Sequence, residues 1–522
     1  MSRLSRRRFL GLAATGVAGG AATAAIGTGF SWGRALTPGA PGTLLRSGIT
    51  LPPPFQVPLP VPPVLRPVRS DAAADYYEIT QRVSTLEILP GVKTEAWTYG
   101  GTFPGPTLVS RSGRRMIVKH RNELPRPVVV HLHGGHTPSA SDGYPGDTIL
   151  PIGAPARHEM MDMPGTPTLG TRDYTYPTNQ RAATLWYHDH SMGFTGPMVW
   201  LGLAGFHLVH DDEEDALPLP KGERDIPLMI ADRSFTAEGR LDYPSLATNL
   251  SVPGVTADYM NGVLGDVILV NGAPWPVLDV QRVRYRLRLL NASNCRRYRL
   301  ELDPPPPGGS GFVQIGGDGG LLAAPVTHDA IEMASAERFD VVLDFSRYAP
   351  GTRVRLLNTL GSGRAAEVMR FDVSHDARAP VDDAIVPPRL AAIVPLDPAK
   401  ASVTREFLFQ NRSGETGWAI NGQPYDPAHP LAAPRLGDTE IWRFVSDVHH
   451  PIHVHLEQFQ VLARNGDKPG AYDHGWKDTV DVRATESVEI AVRFTDYPGR
   501  YVFHCHNLEH EDMAMMADFV TS

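Results

Sequence analysis

Phe503-His504-Cys505-His506-Asn507-Leu508-Glu509-His510-Glu511-Asp512-Met513-Ala514-Met515-Met516 lies near the end of the chain and packs candidate ligands for two metal sites into fourteen residues. In an extended segment side chains alternate faces, so Cys505 leaves one side while His504 and His506 leave together on the other. On the cysteine side, His510 and Met515 follow at equal intervals. A thiolate, an imidazole and a thioether, joined by one more histidine, make a blue-copper electron-transfer centre. On the histidine side two imidazoles point towards a second cluster. A zinc site, or a chance grouping among twenty histidines, is the competing account, although zinc favours closed tetrahedral Cys/His sets and has little use for a thioether.

Three further clusters bear on that choice: His131-Leu132-His133, His188-Asp189-His190 and His450-Pro451-Ile452-His453-Val454-His455. The first two are preceded by apolar residues that would seat them at the rim of a core. Together with His504 and His506, the residues His131, His133, His188, His190, His453 and His455 give eight imidazoles, which suit three copper ions. His450, Cys505, His510 and Met515 remain for the blue site. Imidazole ligation without carboxylates favours copper over magnesium, calcium or manganese, and the separate Cys/Met set favours copper over zinc.

At 522 residues the chain exceeds what one hydrophobic core supports, so two or three domains are expected. A charged content of 20% and a net charge of -8 fit a globular protein and suggest no basic patch for nucleic acid. Short β-branched or aromatic runs alternate with Gly/Pro turns: Tyr77-Glu-Ile-Thr80, Met116-Ile-Val-Lys119, Val128-Val-Val130, Thr184-Leu-Trp-Tyr187 and Phe206-His-Leu-Val209. That spacing predicts an all-β sandwich with little helix. A second set, with Tyr285-Arg-Leu-Arg-Leu-Leu290, Tyr298-Arg-Leu-Glu-Leu302 and Phe339-Asp-Val-Val-Leu-Asp-Phe345, alternates with period two but holds no His-x-His pair, so its expected role is structural. Its arginines Arg282, Arg284, Arg286 and Arg288 fall on one strand face, read as solvated and carboxylate-paired. The third set holds Ile441-Trp-Arg-Phe-Val445, Val488-Glu-Ile-Ala-Val-Arg493 and Tyr501-Val-Phe503. The expected boundaries are a signal segment 1–35, a Pro-rich strap 36–70 over the first domain, domains 71–215, 216–375 and 401–522, and a Pro/Ala-rich linker 376–400.

Ser5-Arg6-Arg7-Arg8-Phe9-Leu10, followed by a Gly/Ala-rich apolar run to about residue 26, resembles a twin-arginine export signal. The run is too poor in Leu and Ile to make a good spanning helix, so export without stable membrane insertion is expected. With Cys505 a ligand, Cys295 has no partner for a disulfide and is expected to be a buried, inert thiol.

The chain resembles the multicopper oxidases, and among them three-domain bacterial laccases of the spore-coat type and bilirubin oxidases. The resemblance rests on His131-Leu-His-Gly-Gly135, Ser141-Asp-Gly-Tyr-Pro145, Trp186-Tyr-His-Asp-His190, His450-Pro-Ile-His-Val-His455, Gly475-Trp-Lys-Asp478 and His504-Cys-His-x3-His-Glu-Asp512 with Met515, and on Phe103-Pro-Gly-Pro106 and Leu65-Arg-Pro67. It implies three cupredoxin-like Greek-key β-sandwich domains and four copper ions. By resemblance His450, Cys505, His510 and axial Met515 hold a type 1 ion, and His131 and His453 a type 2 ion. His133, His188 and His506 hold one type 3 ion, and His190, His455 and His504 the other. The first and third domains must then meet.

The implied activity is one-electron oxidation of small phenolic or aromatic donors, coupled to four-electron reduction of dioxygen to water, by a monomeric exported enzyme. Glu511 and Asp142 match acidic positions that the family places near the oxygen site, where they would supply protons. The alternative for both is a solvent-facing carboxylate, and the Gly/Ser-rich loop around Asp142 favours that alternative there. Bilirubin-type tetrapyrroles, or cuprous or manganous ions, are alternative donors, and Met160-Met161-Asp162-Met163 hints at soft-metal contact. A copper store without catalysis is a further class, and a two-copper nitrite reductase is disfavoured by the complete type 3 set.

Overall fold

The structure is a computed structural model that describes residues 42–154, 164–376, 381–412 and 417–522. The export segment and the Met160–Met163 cluster lie outside the described residues. Strands dominate, and the described helices are short, such as Thr195–Leu201 and Leu508–Asp512. Among the described residues no helix is long and apolar enough to cross a membrane.

One strand pairing recurs three times. Asp75–Leu86 runs parallel to Met116–Asn122, Asp225–Phe235 to Arg284–Asn291, and Val403–Asn411 to Thr439–Ser446. Each parallel pair sits in an otherwise largely antiparallel sheet that packs on a second sheet, which is the Greek-key, cupredoxin-like sandwich. Strand Thr439–Ser446 shows why the sequence folds so: Glu440, Trp442, Phe444 and Ser446 are buried while the residues between them are half-buried. Trp442 lies 5.2 Å from Phe503 and 5.1 Å from Phe407, ring centre to ring centre. Each such aromatic side chain stabilises the third sandwich by about 1.5–3 kcal/mol through burial.

The ligand-bearing sheets are buried on both faces. Ala183–Asp189 is buried at every position, because one face covers the first sandwich's core and the other meets the rest of the chain. Helix Thr195–Leu201 of the first sandwich joins helix Leu508–Asp512 of the third: the Asp512 carboxylate accepts from Thr195 N and Gly196 N, both at 2.8 Å. A carboxylate on free N–H groups at a helix start satisfies orphan donors and suits the positive end of the helix dipole.

Two expectations need correction. Arg286 and Arg288 are paired with carboxylates but not solvated: they are 3% and 1% exposed. Arg286 binds Asp340 and Glu214, and Arg288 binds Asp225 and Glu214. That face of the second sandwich packs on the first, which supplies Glu214, so the alternation marked an interface and not a solvated surface. The Pro-rich strap also reaches further than the first sandwich. Thr43–Leu44 pairs with Val263–Leu264, and Phe55 N and Leu59 N donate to Trp275 O and Val277 O, all in the second sandwich; Leu65 N then reaches Thr107 O of the first.

Candidate metal centre

Register places the His-x-His pairs side by side. In the first sandwich His131 stands opposite His188 across an antiparallel pair. In the third, His453 stands opposite His504, and Ile452 opposite Cys505. Two neighbouring strands, each with a histidine at alternate positions, thus present four imidazoles from one face of each sheet. The two faces meet, and eight buried rings converge: His131 stacks on His455 with centroids 3.8 Å apart, and His133 on His453 at 3.6 Å.

Hydrogen bonds fix which nitrogen is free in several of the rings. His131 Nδ1 lies 2.5 Å from Asp142 O and His453 Nδ1 lies 2.8 Å from Asp478 O, so both are donors. A neutral imidazole carries one N–H, and the two bare Nε2 atoms face each other at 3.3 Å. His455 Nδ1 donates to Asp142 Oδ2 at 2.7 Å, and His504 Nδ1 donates to Cys505 O at 3.2 Å with Glu511 Oε2 at 3.1 Å from it. His190 Nδ1 approaches Glu511 Oε1 at 3.5 Å. The Nε2 atom of His504 lies 3.2 Å from those of both His190 and His455. Lone pairs aimed at each other across a buried space repel unless a cation lies between them. His133 Nδ1, His188 Nε2 and both nitrogens of His506 are buried without a hydrogen-bond partner. A buried polar atom left so is costly unless a ligand satisfies it.

Burial, and then the neighbouring rings, drive the imidazole pKa values down, to about 3 for His188 and well below the usual value for His131, His133, His453, His455 and His506. For His190 burial, and to a lesser degree His504, oppose the charge, the Glu511 carboxylate partly offsets them, and the result is about 4. Neutral rings are the form that binds a metal.

The cysteine site lies on the opposite face of strand Gly499–Cys505. Cys505 Sγ is 3.4 Å from His450 Nδ1 and 3.6 Å from His510 Nδ1, and those nitrogens are 3.0 Å apart. Asn507 N donates to Sγ at 3.4 Å. Met515 is buried in the same apolar cluster as Cys505. Burial pushes the Cys505 thiol well up, so a thiolate there requires a cation to displace the proton. The strand ends at Cys505, and His510 enters from helix Leu508–Asp512, so the equal spacing of Cys505, His510 and Met515 is helix-and-turn geometry and not strand alternation. Trp418 stacks on His510 with centroids 3.7 Å apart. On the outer side, the Asp447 carboxylate lies 3.0 Å from His450 Nε2 and is 29% exposed.

Asp142 is not solvent-facing. It is 0% exposed, because its loop is closed over by the third sandwich; Gly143 lies so close to His131 that a Cβ there would come within 2.6 Å of His131 Cα. Glu511 is 1% exposed and also accepts from Thr195 Oγ1 at 2.6 Å. Cys295 is buried, and its Sγ donates to Val263 O. Sequence reasoning gave no role to Asp478, Trp418, Asp447 or Asp512. Asp478 and Asp512 sat inside stretches already quoted, whereas nothing local marked Trp418 or Asp447.

Sequence relatives agree with this geometry. The multicopper oxidase family pattern matches residues 80–214 and 398–522. A laccase of Bacillus stratosphericus is 38% identical, over 88% of this chain and 97% of its own length. The chain belongs to the multicopper oxidase family. A bilirubin oxidase of Albifimbria verrucaria is 35% identical over 90% of this chain and 81% of its own. Among solved structures, a laccase from Pediococcus acidilactici superposes with a TM-score of 0.78 at 33% identity, covering 91% and 96% of the two chains. This multicopper oxidase is therefore a copper-dependent oxidase that draws electrons from a reducing substrate and uses dioxygen as acceptor. Its buried neutral imidazoles and thiol fit copper, which accepts both donor types.

Proposed function

We propose that this enzyme is laccase-like and couples one-electron oxidation of small phenolic or aromatic donors to four-electron reduction of dioxygen to water. The laccases and the bilirubin oxidase among its relatives support that donor class. We assign four copper ions: type 1 on His450, Cys505, His510 and Met515; type 2 on His131 and His453; one type 3 ion on His133, His188 and His506, and the other on His190, His455 and His504. The single observation that carries the assignment is the set of buried, mutually facing Nε2 atoms, whose lone pairs a shared cation would reconcile. Bound copper supplies the one-electron redox chemistry that these side chains lack.

The chain supplies position and protons. Cys505 is covalently continuous with His504 and His506, so one strand end connects the donor side with the oxygen side. Asp447, on the outer edge of His450, marks where a donor approaches, because it is a partly exposed carboxylate in contact with a ring of the cysteine site. Burial pushes the Asp142 carboxyl well up, and its Oδ1 has no hydrogen-bond partner, so it can hold a proton. Burial would raise Glu511 too, but His504 and His190 hold it down at about 2, so it stays ionised. Two carboxyl groups poised in opposite protonation states are the arrangement for delivering and resetting protons.

We further propose twin-arginine export, on the strength of the N-terminal pattern Arg6-Arg7. Replacing both arginines with lysine should then keep the precursor inside the cytoplasm; undiminished mature enzyme outside it would remove that reading. The activity is tested by oxygen consumption with a panel of phenols, aromatic amines, bilirubin and cuprous and manganous ions. The proposal requires four donor electrons per dioxygen without free peroxide, and fastest turnover on an aromatic donor; a metal ion as the only donor would overturn the donor class.

A further inference from the structure

One side chain of the second sandwich, which has no His-x-His pair, reaches the imidazole cluster. Arg338, 1% exposed, grips the Asp478 carboxylate of the third sandwich with both terminal nitrogens, Nη1 at 2.8 Å from Oδ1 and Nη2 against Oδ2. Its remaining donors go to Thr184 O of the first sandwich and to Ala336 O and Asp318 O of its own. The guanidinium is thus anchored to all three sandwiches.

Asp478 acts on two rings in opposite senses. Its Oδ1 accepts from His133 Nε2 at 3.0 Å, while its backbone oxygen accepts from His453 Nδ1 at 2.8 Å. Because each neutral ring has one N–H, His133 keeps a bare Nδ1 and His453 a bare Nε2. His133 Nδ1 has no hydrogen-bond partner, and His453 Nε2 faces His131 Nε2. The two rings stack at an interplanar angle of 15°, so neither can turn without the other. Thr479 reinforces the arrangement: its hydroxyl donates to Asp478 Oδ1 at 2.9 Å and lies 3.0 Å from His133 Nε2. Gly134 leaves room for the pair. Its φ is +82°, and a Cβ there would come within 2.7 Å of Asp478 Oδ2 and 2.8 Å of Arg338 Nη2.

We propose that Arg338 is a positioning residue of the oxygen-reducing site: by clamping the Asp478 carboxylate it holds His133 in the tautomer opposite to the one the Asp478 backbone oxygen gives His453, so that the two rings present Nδ1 and Nε2 to different ions. The inference rests on the copper assignment above. A planar, bidentate guanidinium fixes a carboxylate's orientation as well as its charge, which a lysine ammonium cannot do. Removing it leaves a buried carboxylate without its charged partner and free to turn away from His133.

The test compares full-length, copper-loaded wild type with Arg338→Lys, Arg338→Met and Asp478→Asn. Three quantities are read: copper per chain, blue absorption per chain, and the type 2 signal in electron paramagnetic resonance. The blue site lies on the other face of strand Gly499–Cys505, so its absorption should be unchanged in every variant. Copper content of Arg338→Met should fall at least twofold with loss of the type 2 signal, and Arg338→Lys should lie between it and wild type. Histidine nitrogen spectra of the fully reduced, diamagnetic enzyme should show a protonated Nε2 on His133 and a protonated Nδ1 on His453 in wild type, with the His133 pattern lost or mixed in Arg338→Lys. The proposal is overturned by full copper and an unchanged type 2 signal in Arg338→Met. It is equally overturned by parallel loss of blue absorption and copper with both tautomers intact in Arg338→Lys, which would mark a merely structural pair. Wild type that binds copper at the blue site alone would instead sink the underlying assignment.

Discussion

Asp142 Oδ2 lies 2.7 Å from His455 Nδ1, both side chains fully buried, although one residue belongs to the first sandwich and the other to the third. The contact ties the oxygen side of the site to a carboxyl whose other oxygen makes no hydrogen bond. Asp142→Asn keeps an acceptor for His455 but cannot carry a proton. Copper content should stay at the wild-type level, while reoxidation of the reduced enzyme by oxygen slows on the order of 100-fold, the usual worth of a positioned acid or base. Stopped-flow mixing of copper-quantified samples reads this directly, and an unchanged rate would remove Asp142 from proton delivery.

Glu511 holds two rings and not one, with His504 and His190 on its separate oxygens. Glu511→Gln should leave the rate of electron entry at the Cys505 site unchanged and slow reoxidation, while Glu511→Asp retains part of the activity. Copper loss with normal reoxidation in the loaded fraction would show that this carboxylate only packs.

The convergence of the histidines was legible because strand alternation is a local rule: His-x-His must place both rings on one face, and Cys505 between two histidines must face the other way. What the sequence could not carry depended on partners distant in the chain. Asp142 sits in a Gly/Ser-rich loop that looks exposed until the third sandwich closes over it. Arg286 and Arg288 have the pattern of a solvated edge and become an interface only when Glu214 arrives from the first sandwich. Arg338 has no local signature, since its meaning lies in a carboxylate 140 residues away.

Replacing Met515, buried beside Cys505, by leucine should keep the blue colour and raise the potential of that site, because a weak axial donor that stabilises the oxidised ion is lost. Redox titration measures the shift; Met516→Leu, one position out of register, should leave the potential alone. Loss of all type 1 copper in Met515→Leu would mean that the side chain is a strong or structural ligand.

His120 is a buried ring away from the metal centre, 2.7 Å from Gln81 Nε2, with burial holding its pKa down at about 3 against an ordinary 6.5. The folded state therefore binds fewer protons than the unfolded state between those values. Stability from the neutral ring is complete above pH 6.5 and is lost as pH falls towards 3, at about 1.4 kcal/mol per unit and on the order of 5 kcal/mol in total. Denaturant melts of copper-free protein should show a shallower acid decline in His120→Gln than in wild type; equal slopes would mean the ring already titrates freely when folded.

The most direct measurement is copper per chain together with blue absorption, in wild type and in Cys505→Ser. The assignment predicts about four copper ions and an intense blue band in wild type, because a thiolate bound to cupric ion gives strong charge-transfer colour. In Cys505→Ser it predicts the loss of the band and of about one copper ion, with the imidazole-bound copper retained. A Cys505→Ser protein that stayed blue, or a wild type that held copper only at the cysteine site, would contradict it.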